Sequence, residues 1–184
     1  MSPINFFQER TIVQCIAYIC QNVSELTDIK AYKLIWLADR LHLRLYGKTI
    51  TGDRYFAMSR GPVPSLAKTL VNYSCKYPYM SECLTIKDKR ITLKQIPGEY
   101  DYLSETEKNV LDKIIETFGA CDENRISDFS HLSPEWMRCQ PRIKAGEKRV
   151  PIDTADFFME FPESSGLFLN DEITSVAKDV YEGN

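Results

Sequence analysis

The stretch IKAYKLIWLADRLHLRLYG, residues 29–47, constrains the fold more than any other. Leu34, Trp36, Leu37, Leu41, Leu45 and Tyr46 make a wide apolar stripe at helical spacing. Such width implies a central, heavily buried helix around which the other elements assemble. Thr27 offers an N-cap oxygen just ahead of it. Gly47 takes the left-handed conformation that stops a helix.

Directly downstream, YFAMSRGPVPSLAKTL, residues 55–70, sets two prolines and a glycine within four residues. After a turn around Gly52, Arg54–Met58 has the look of a short strand. Pro62 fixes its own φ and is expected to keep Arg60–Gly61 from continuing a regular ladder. Pro64 pushes Val63 to an extended conformation and suits the first turn of a helix reaching about Tyr73. The spacing predicts a strand–turn–helix corner with little freedom.

Elsewhere the pattern is mostly helical. Phe6, Val13, Ile16, Ala17 and Cys20 predict a helix from Asn5 to Gln21. Residues 84–96 alternate apolar and polar side chains around Asp88-Lys89-Arg90 and read as a small β-hairpin. Ser104 and Glu107 form a capping box that opens a helix ending at Gly119. A short helix is expected over Arg125–Ser130, a further turn at Ser133–Trp136, and a helix capped at Asp153 holding Phe157, Phe158 and Phe161. The last twenty residues read as a short amphipathic helix or a loose tail. The expected fold is mainly α (α+β): a compact helical domain over residues 1–162 with a short strand and a β-hairpin, then an acidic tail over 163–184.

With 184 residues, the chain can bury roughly 70% of its unfolded surface without a covalent staple. The six cysteines therefore do not demand a disulfide framework, and the start MSPINFFQER lacks the basic region and cleavage site of a secretory signal. The uncharged run TIVQCIAYICQNVS is too short to span a bilayer, so a cytoplasmic protein with reduced thiols and no membrane contact is expected. Charge is unevenly spread. Residues 1–100 carry 14 Lys+Arg against 8 Asp+Glu, whereas residues 101–184 carry 9 against 18. Within the second part, RCQPRIKAGEKR at 138–149 is locally basic and the segment from Asp153 onward is strongly acidic. A two-sided charge distribution favours oriented docking with a charged partner, and it is also what a solvated face with a loose acidic tail would show.

Motifs for small-molecule chemistry are sparse. No C-x2-C pair and only two histidines, His42 and His131, leave no recognisable zinc site, and no metal or cofactor is expected. The glycines do not form a phosphate-binding loop. Asp39 and His42 lie one helical turn apart, with Asp53 in the following loop, and could make an acid–base pair. Asp39 equally could tie the helix to the TITGD loop, and the apolar residues around it favour that structural role. His131, Cys139 and Asp128 are a conceivable nucleophile set, against which stands an ordinary buried thiol and a hydrogen-bonded histidine. Arg54, Arg60, Lys68 and Lys76 interleave with Tyr55, Tyr73, Tyr77 and Tyr79, a pattern that can stack bases, but the acidic pI of about 5.5 argues for ordinary core and surface aromatics.

The order and spacing of several residues resemble the signature of the Panacea domain, the SocA-like antitoxin family. They are Lys33, Leu34, Trp36, Leu37, Ala38 and Asp39; then Gly47, Ile50, Thr51 and Gly52; then Tyr55 and Ala57; then Gly61, Pro62 and Val63. The second half, with LSETEKNVLDKIIETFG, SHLSPEW including Trp136, and the Ile-Asp-Thr segment with paired Phe, is similar to the family's second half. The resemblance implies a non-enzymatic antitoxin of a toxin–antitoxin or phage-defence system that binds and neutralises a cognate protein toxin by occlusion. The alternative it implies is an adaptor delivering a toxin or other client to a protease. With the domain beginning near residue 5, no added DNA-binding segment is expected ahead of it, and DNA is not expected as a partner. Signature residues such as Lys33, Trp36, Asp39, Gly52, Tyr55, Gly61, Pro62 and Trp136 are expected to hold the fold. Arg40 and Arg44 on the far side of the central helix, Arg54 and Arg60 at the strand, and Tyr77 and Tyr79 after the third helix are the expected toxin contacts.

Overall fold

The structure, a computed structural model, describes residues 5–160 and 171–183. Phe161 and the expected boundary between 162 and 163 lie outside the described residues. Helix α1 (Phe6–Asn22) starts where Asn5 Oδ1 accepts the Phe7 N–H at 2.9 Å. Helix α2 (Asp28–Tyr46) starts with Thr27 Oγ1 accepting the Lys30 N–H at 3.2 Å and ends at Gly47, φ 72°. Every residue of α2 from Lys30 to Arg44 is buried. It is the axis of the molecule.

The Gly-Pro-Val-Pro segment corrects the expected corner. It is itself a strand, β2 (Gly61–Pro64), antiparallel to β1 (Tyr55–Met58) in the register Met58↔Gly61, Ala57↔Pro62, Phe56↔Val63, Tyr55↔Pro64. The two-residue turn makes Met58↔Gly61 the first hydrogen-bonded pair. Alternation along an antiparallel ladder then places Pro62 and Pro64 where an N–H would point away from β1. Two prolines therefore fit an edge strand without breaking it. A short strand β5 (Val150–Pro151) pairs with the other side of β1, giving the order β2-β1-β5.

Helix α3 (Ser65–Asn72) follows β2 directly. Pro64 has no side-chain oxygen to cap it. Asp53 does so from the loop before β1, accepting the Leu66 N–H at 2.9 Å and the Ala67 N–H at 2.8 Å. A 3-10 turn (Ser74–Lys76) and helix α4 (Pro78–Cys83), neither expected from the sequence, lead into the hairpin β3 (Leu84–Lys87) and β4 (Arg90–Leu93). Helix α5 (Glu105–Phe118) carries the complete Ser104–Glu107 capping box. Helix α6 (Glu123–Ser130) is capped by Asp122. The turn expected at Ser133–Trp136 opens helix α7 (Pro134–Lys144), which takes in the first part of the basic segment and continues through Pro141. Asp153 caps a 3-10 turn (Thr154–Phe158) that stops at Phe158, short of the helix expected there.

Helix α8 (Asp171–Glu182) resolves the choice between helix and loose tail for its residues. It packs on the C-terminal end of α2, burying Ala177. A Cβ at Gly47 would lie 2.7 Å from the Ala177 carbonyl oxygen, so Gly47 serves both the left-handed cap and this close approach.

A candidate protein-docking face

The charged residues of α2 from Lys30 to Arg44 are buried, and their side chains reach the elements packed around the helix. Lys30 Nζ donates to the Gly119 carbonyl at 2.7 Å, at the end of α5. Lys33 Nζ donates to the Pro62 carbonyl at 2.8 Å, on the edge of β2 that faces away from β1. Trp36 Nε1 donates to Glu135 of α7 at 3.0 Å, and Trp136 Nε1 donates to the Met58 carbonyl at 2.9 Å. Asp39 accepts the Ile50 and Thr51 N–H groups, both at 2.9 Å, the Thr51 hydroxyl, and the Tyr55 hydroxyl at 2.6 Å. That is the loop tie read from the sequence. Gly61, φ 99°, lies so close to Lys33 and Ser130 that a Cβ there would be 2.0 Å from Ser130 Oγ. Gly52, φ 60°, is exposed, and its carbonyl accepts from Gln8 Nε2 at 2.8 Å.

The two candidate catalytic sets are not assembled for chemistry. The Asp39 carboxylate is committed to the 50–55 loop, and Asp53 caps α3 rather than approaching His42. His42 Nδ1 meets the Lys48 carbonyl at 2.7 Å, and burial holds its pKa below the usual value. Cys139 is buried with its thiol 3.7 Å from the Pro151 carbonyl, and burial raises its pKa, so the thiolate is disfavoured. His131 instead stacks on Trp136, ring centroids 4.2 Å apart. Among the described residues no group of three His, Cys, Asp or Glu side chains gathers to hold a metal ion, and the six cysteines are unbridged.

The expected partner contacts separate into three groups. Arg40 and Arg44 are corrected: they are 2% and 1% exposed and point inward. Arg40 Nε lies 3.3 Å from Glu135, and its guanidinium also donates to the Met159 carbonyl. Arg44 donates to Glu160 at 2.7 Å and to the carbonyls of Phe158 and Met159. The width of the α2 stripe hid this, because a helix enclosed on all sides must also bury its polar positions. Arg60 is held by Glu123 at 2.5 Å and Asn124 at 2.9 Å. Tyr77 and Tyr79 pack against the core, and the Tyr79 ring is covered by Arg10 at 3.6 Å. Arg54 alone of the six is exposed and makes no ion pair among the described residues.

Arg54 lines a crevice of about 950 Å³ together with Lys48, Phe56, Ile152, Asp153 and Tyr181 of α8. Phe56 also lines a second concavity of about 160 Å³ between the sheet and α3. There Met58 and Val63 complete an apolar floor, and Lys68, Thr69 and Asn72 of α3 with the following Tyr73 form the wall. Arg149 crosses over the Phe56 ring at 3.5 Å and donates to Ser65 Oγ at 2.7 Å. The result is a ridge, Phe56 under Arg149, between two concavities, with Lys48, Arg54 and Lys68 around it. One signal for this face was legible: with Tyr55 and Ala57 turned inward, strand alternation turns Phe56 and Met58 outward. Nothing local in the sequence links Arg149 to Phe56.

The family model described as antitoxin SocA-like, Panacea domain, matches residues 32–137, more than half of the 184 residues. The chain belongs to this family of SocA-like antitoxins. No curated protein and no solved structure matches it. Among the described residues no helix is long and apolar enough to cross a membrane.

Proposed function

We propose that this protein is a cytoplasmic antitoxin of a two-gene toxin–antitoxin or phage-defence cassette, and that it neutralises a cognate protein toxin by covering the toxin's active site or substrate path. The observation that carries the reading is the Phe56–Arg149 ridge. Arg149 is exposed over a half-buried Phe56, and the pair is flanked by two concavities. It stands on a hairpin fixed from beneath by Lys33, Asp39 and Trp136. Aromatic and Arg anchors on a preorganised scaffold are the usual centres of tight protein interfaces, because little entropy is lost when they dock. Most signature residues of the family act inside the fold, which leaves the outward side chains free to suit different toxins.

The test is growth rescue. The product of the neighbouring open reading frame is induced with wild-type protein, with Phe56→Ser, and with Arg54→Glu. Wild type is expected to restore growth and to co-purify with the toxin. Each variant, checked for an unchanged circular dichroism spectrum, is expected to lose both. Full rescue by both variants would remove this face from the reading.

The adaptor reading needs a second surface, and α8 offers one: Ile173 and Val176 point outward, 48% and 65% exposed. Toxin half-life in cells separates the two. Faster toxin decay in the presence of this protein supports delivery to a protease, and unchanged decay with lost toxicity supports occlusion.

A further inference from the structure

We propose that the concavity beside α3 receives one apolar side chain of the partner together with a neighbouring carboxylate, so that the partner's docking segment is acidic and apolar rather than basic. This rests on the docking reading above and adds the chemistry of what docks.

The concavity measures about 160 Å³, well below the several hundred Å³ of a cofactor site and suited to one side chain. Its floor, Phe56, Met58 and Val63, is apolar. Its charged lining residues are both cations, Lys68 and Arg149, and no Asp or Glu lines it. Several surface arginines have a carboxylate partner, Arg60 with Glu123, Arg138 with Asp156 and Arg142 with Glu147, and none of those carboxylates lines this concavity. Among the described residues Lys68 donates only to the Met58 thioether, at 3.6 Å, and a thioether is a weak acceptor. Arg149 uses its π face on Phe56 and one N–H on Ser65, and it makes no ion pair with a described residue. Two cations that no described carboxylate pairs, set over an apolar floor, are complementary to an apolar side chain with a carboxylate beside it.

The same geometry disfavours nucleic acid. The Phe56 face that a base would stack on is occupied by Arg149, and Lys76 lies over the Tyr73 ring at 5.2 Å. A small free anion would engage the cations and leave the apolar floor unused.

The probe is a fluorescein-labelled Gly/Ser dodecapeptide with a central Glu-Leu-Glu. Controls carry Lys-Leu-Lys or Glu-Ser-Glu, and binding to the full chain is read by fluorescence anisotropy. Glu-Leu-Glu is expected to bind at least about tenfold more tightly than either control, and to weaken with added salt. Lys68→Glu with Arg149→Glu is expected to reverse the preference towards Lys-Leu-Lys, and Val63→Trp, which fills the floor, to weaken Glu-Leu-Glu alone. Reversal is a gain of binding, so it cannot be mistaken for misfolding. Equal affinity for all three peptides, or binding to none, would overturn the proposal. So would competition by inorganic phosphate that ignores the leucine, or tighter binding of a single-stranded oligonucleotide than of the peptide. Peptide binding with the charge reversal, but growth rescue indifferent to Phe56→Ser, would leave this inference standing and sink the docking reading. Rescue that needs Phe56 while the peptides fail would do the opposite.

Discussion

Lys33 carries an ammonium group to a place 1% exposed, with the Pro62 carbonyl as its hydrogen-bond acceptor. Burial, reinforced by the positive charge of Arg60, lowers its pKa to about 7 from the usual 10.5. The sign of the consequence follows from proton counting. Between those values the unfolded chain binds more protons at this site than the folded one, so this residue's contribution to stability rises with pH, by at most about 1.4 kcal/mol per pH unit. The melting temperature of wild type minus that of Lys33→Met should therefore increase from pH 7 to pH 9 in thermal unfolding. A difference that stays level across that range would show that Lys33 keeps an ordinary pKa in the fold. Asp39 runs the other way. Burial raises it to about 6 from the usual 3.8, against the hydrogen bonds of Thr51 and Tyr55. Its contribution is most favourable below the lower value and fades as pH rises to about 6. Lys33 and Asp39 were legible as signature positions in the sequence. Their partners were not, because a carbonyl acceptor such as Pro62 leaves no trace in residue type.

At the scale of elements, local chemistry and tertiary override can be told apart. The helix starts at Asn5, Thr27 and Ser104 and the stop at Gly47 all follow from one residue's capping geometry, and they stand where the sequence places them. The β3–β4 hairpin also follows local pattern, but its turn is poorly matched to its residues. Asp88 and Lys89 both have positive φ, 51° and 64°, the conformation that Asn-Gly adopts at lowest strain. Asp88→Asn with Lys89→Gly should raise stability by about 1 kcal/mol, read as a shift of roughly 2–4 °C in melting temperature. A fall would mean that Lys89 contributes a contact that outweighs the relief. The Gly-Pro-Val-Pro strand shows the opposite case. Its residue types disfavour a ladder, yet pairing one edge to β1 uses only the positions that proline leaves intact.

For the molecule as a whole, α2 is a hub: α1, α3, α5, α6 and α8 and strand β2 all pack on it. Trp36 and Trp136, 0% and 6% exposed, meet α7 and β1 through hydrogen bonds that span the chain. A fold organised around one buried helix should unfold in one step. Urea midpoints from tryptophan fluorescence and from far-ultraviolet circular dichroism are expected to coincide. Two separated transitions would mean that part of the helical shell, such as α5, melts independently of α2. The charge asymmetry belongs to this scale too. The sequence shows where charges lie along the chain, and folding decides that Arg149 joins Lys68 beside Phe56 while Arg40 and Arg44 disappear inside.

What the sequence by itself determined is therefore local and periodic: the central helix, its caps, the β3–β4 hairpin, the α5 capping box, and the family signature that names the fold. Those features depend on residues within a turn or two of one another, where backbone geometry and side-chain period act directly. Only the tertiary structure decided that Gly-Pro-Val-Pro is an edge strand, that Asp53 caps α3, that the arginines of α2 are enclosed, and that Phe56 and Arg149 form the outward ridge. Each of these depends on which distant segment supplies the partner for a buried polar group or a half-buried ring. That choice is set by satisfying every buried donor and acceptor at once, a condition of the whole packed chain rather than of any stretch of it.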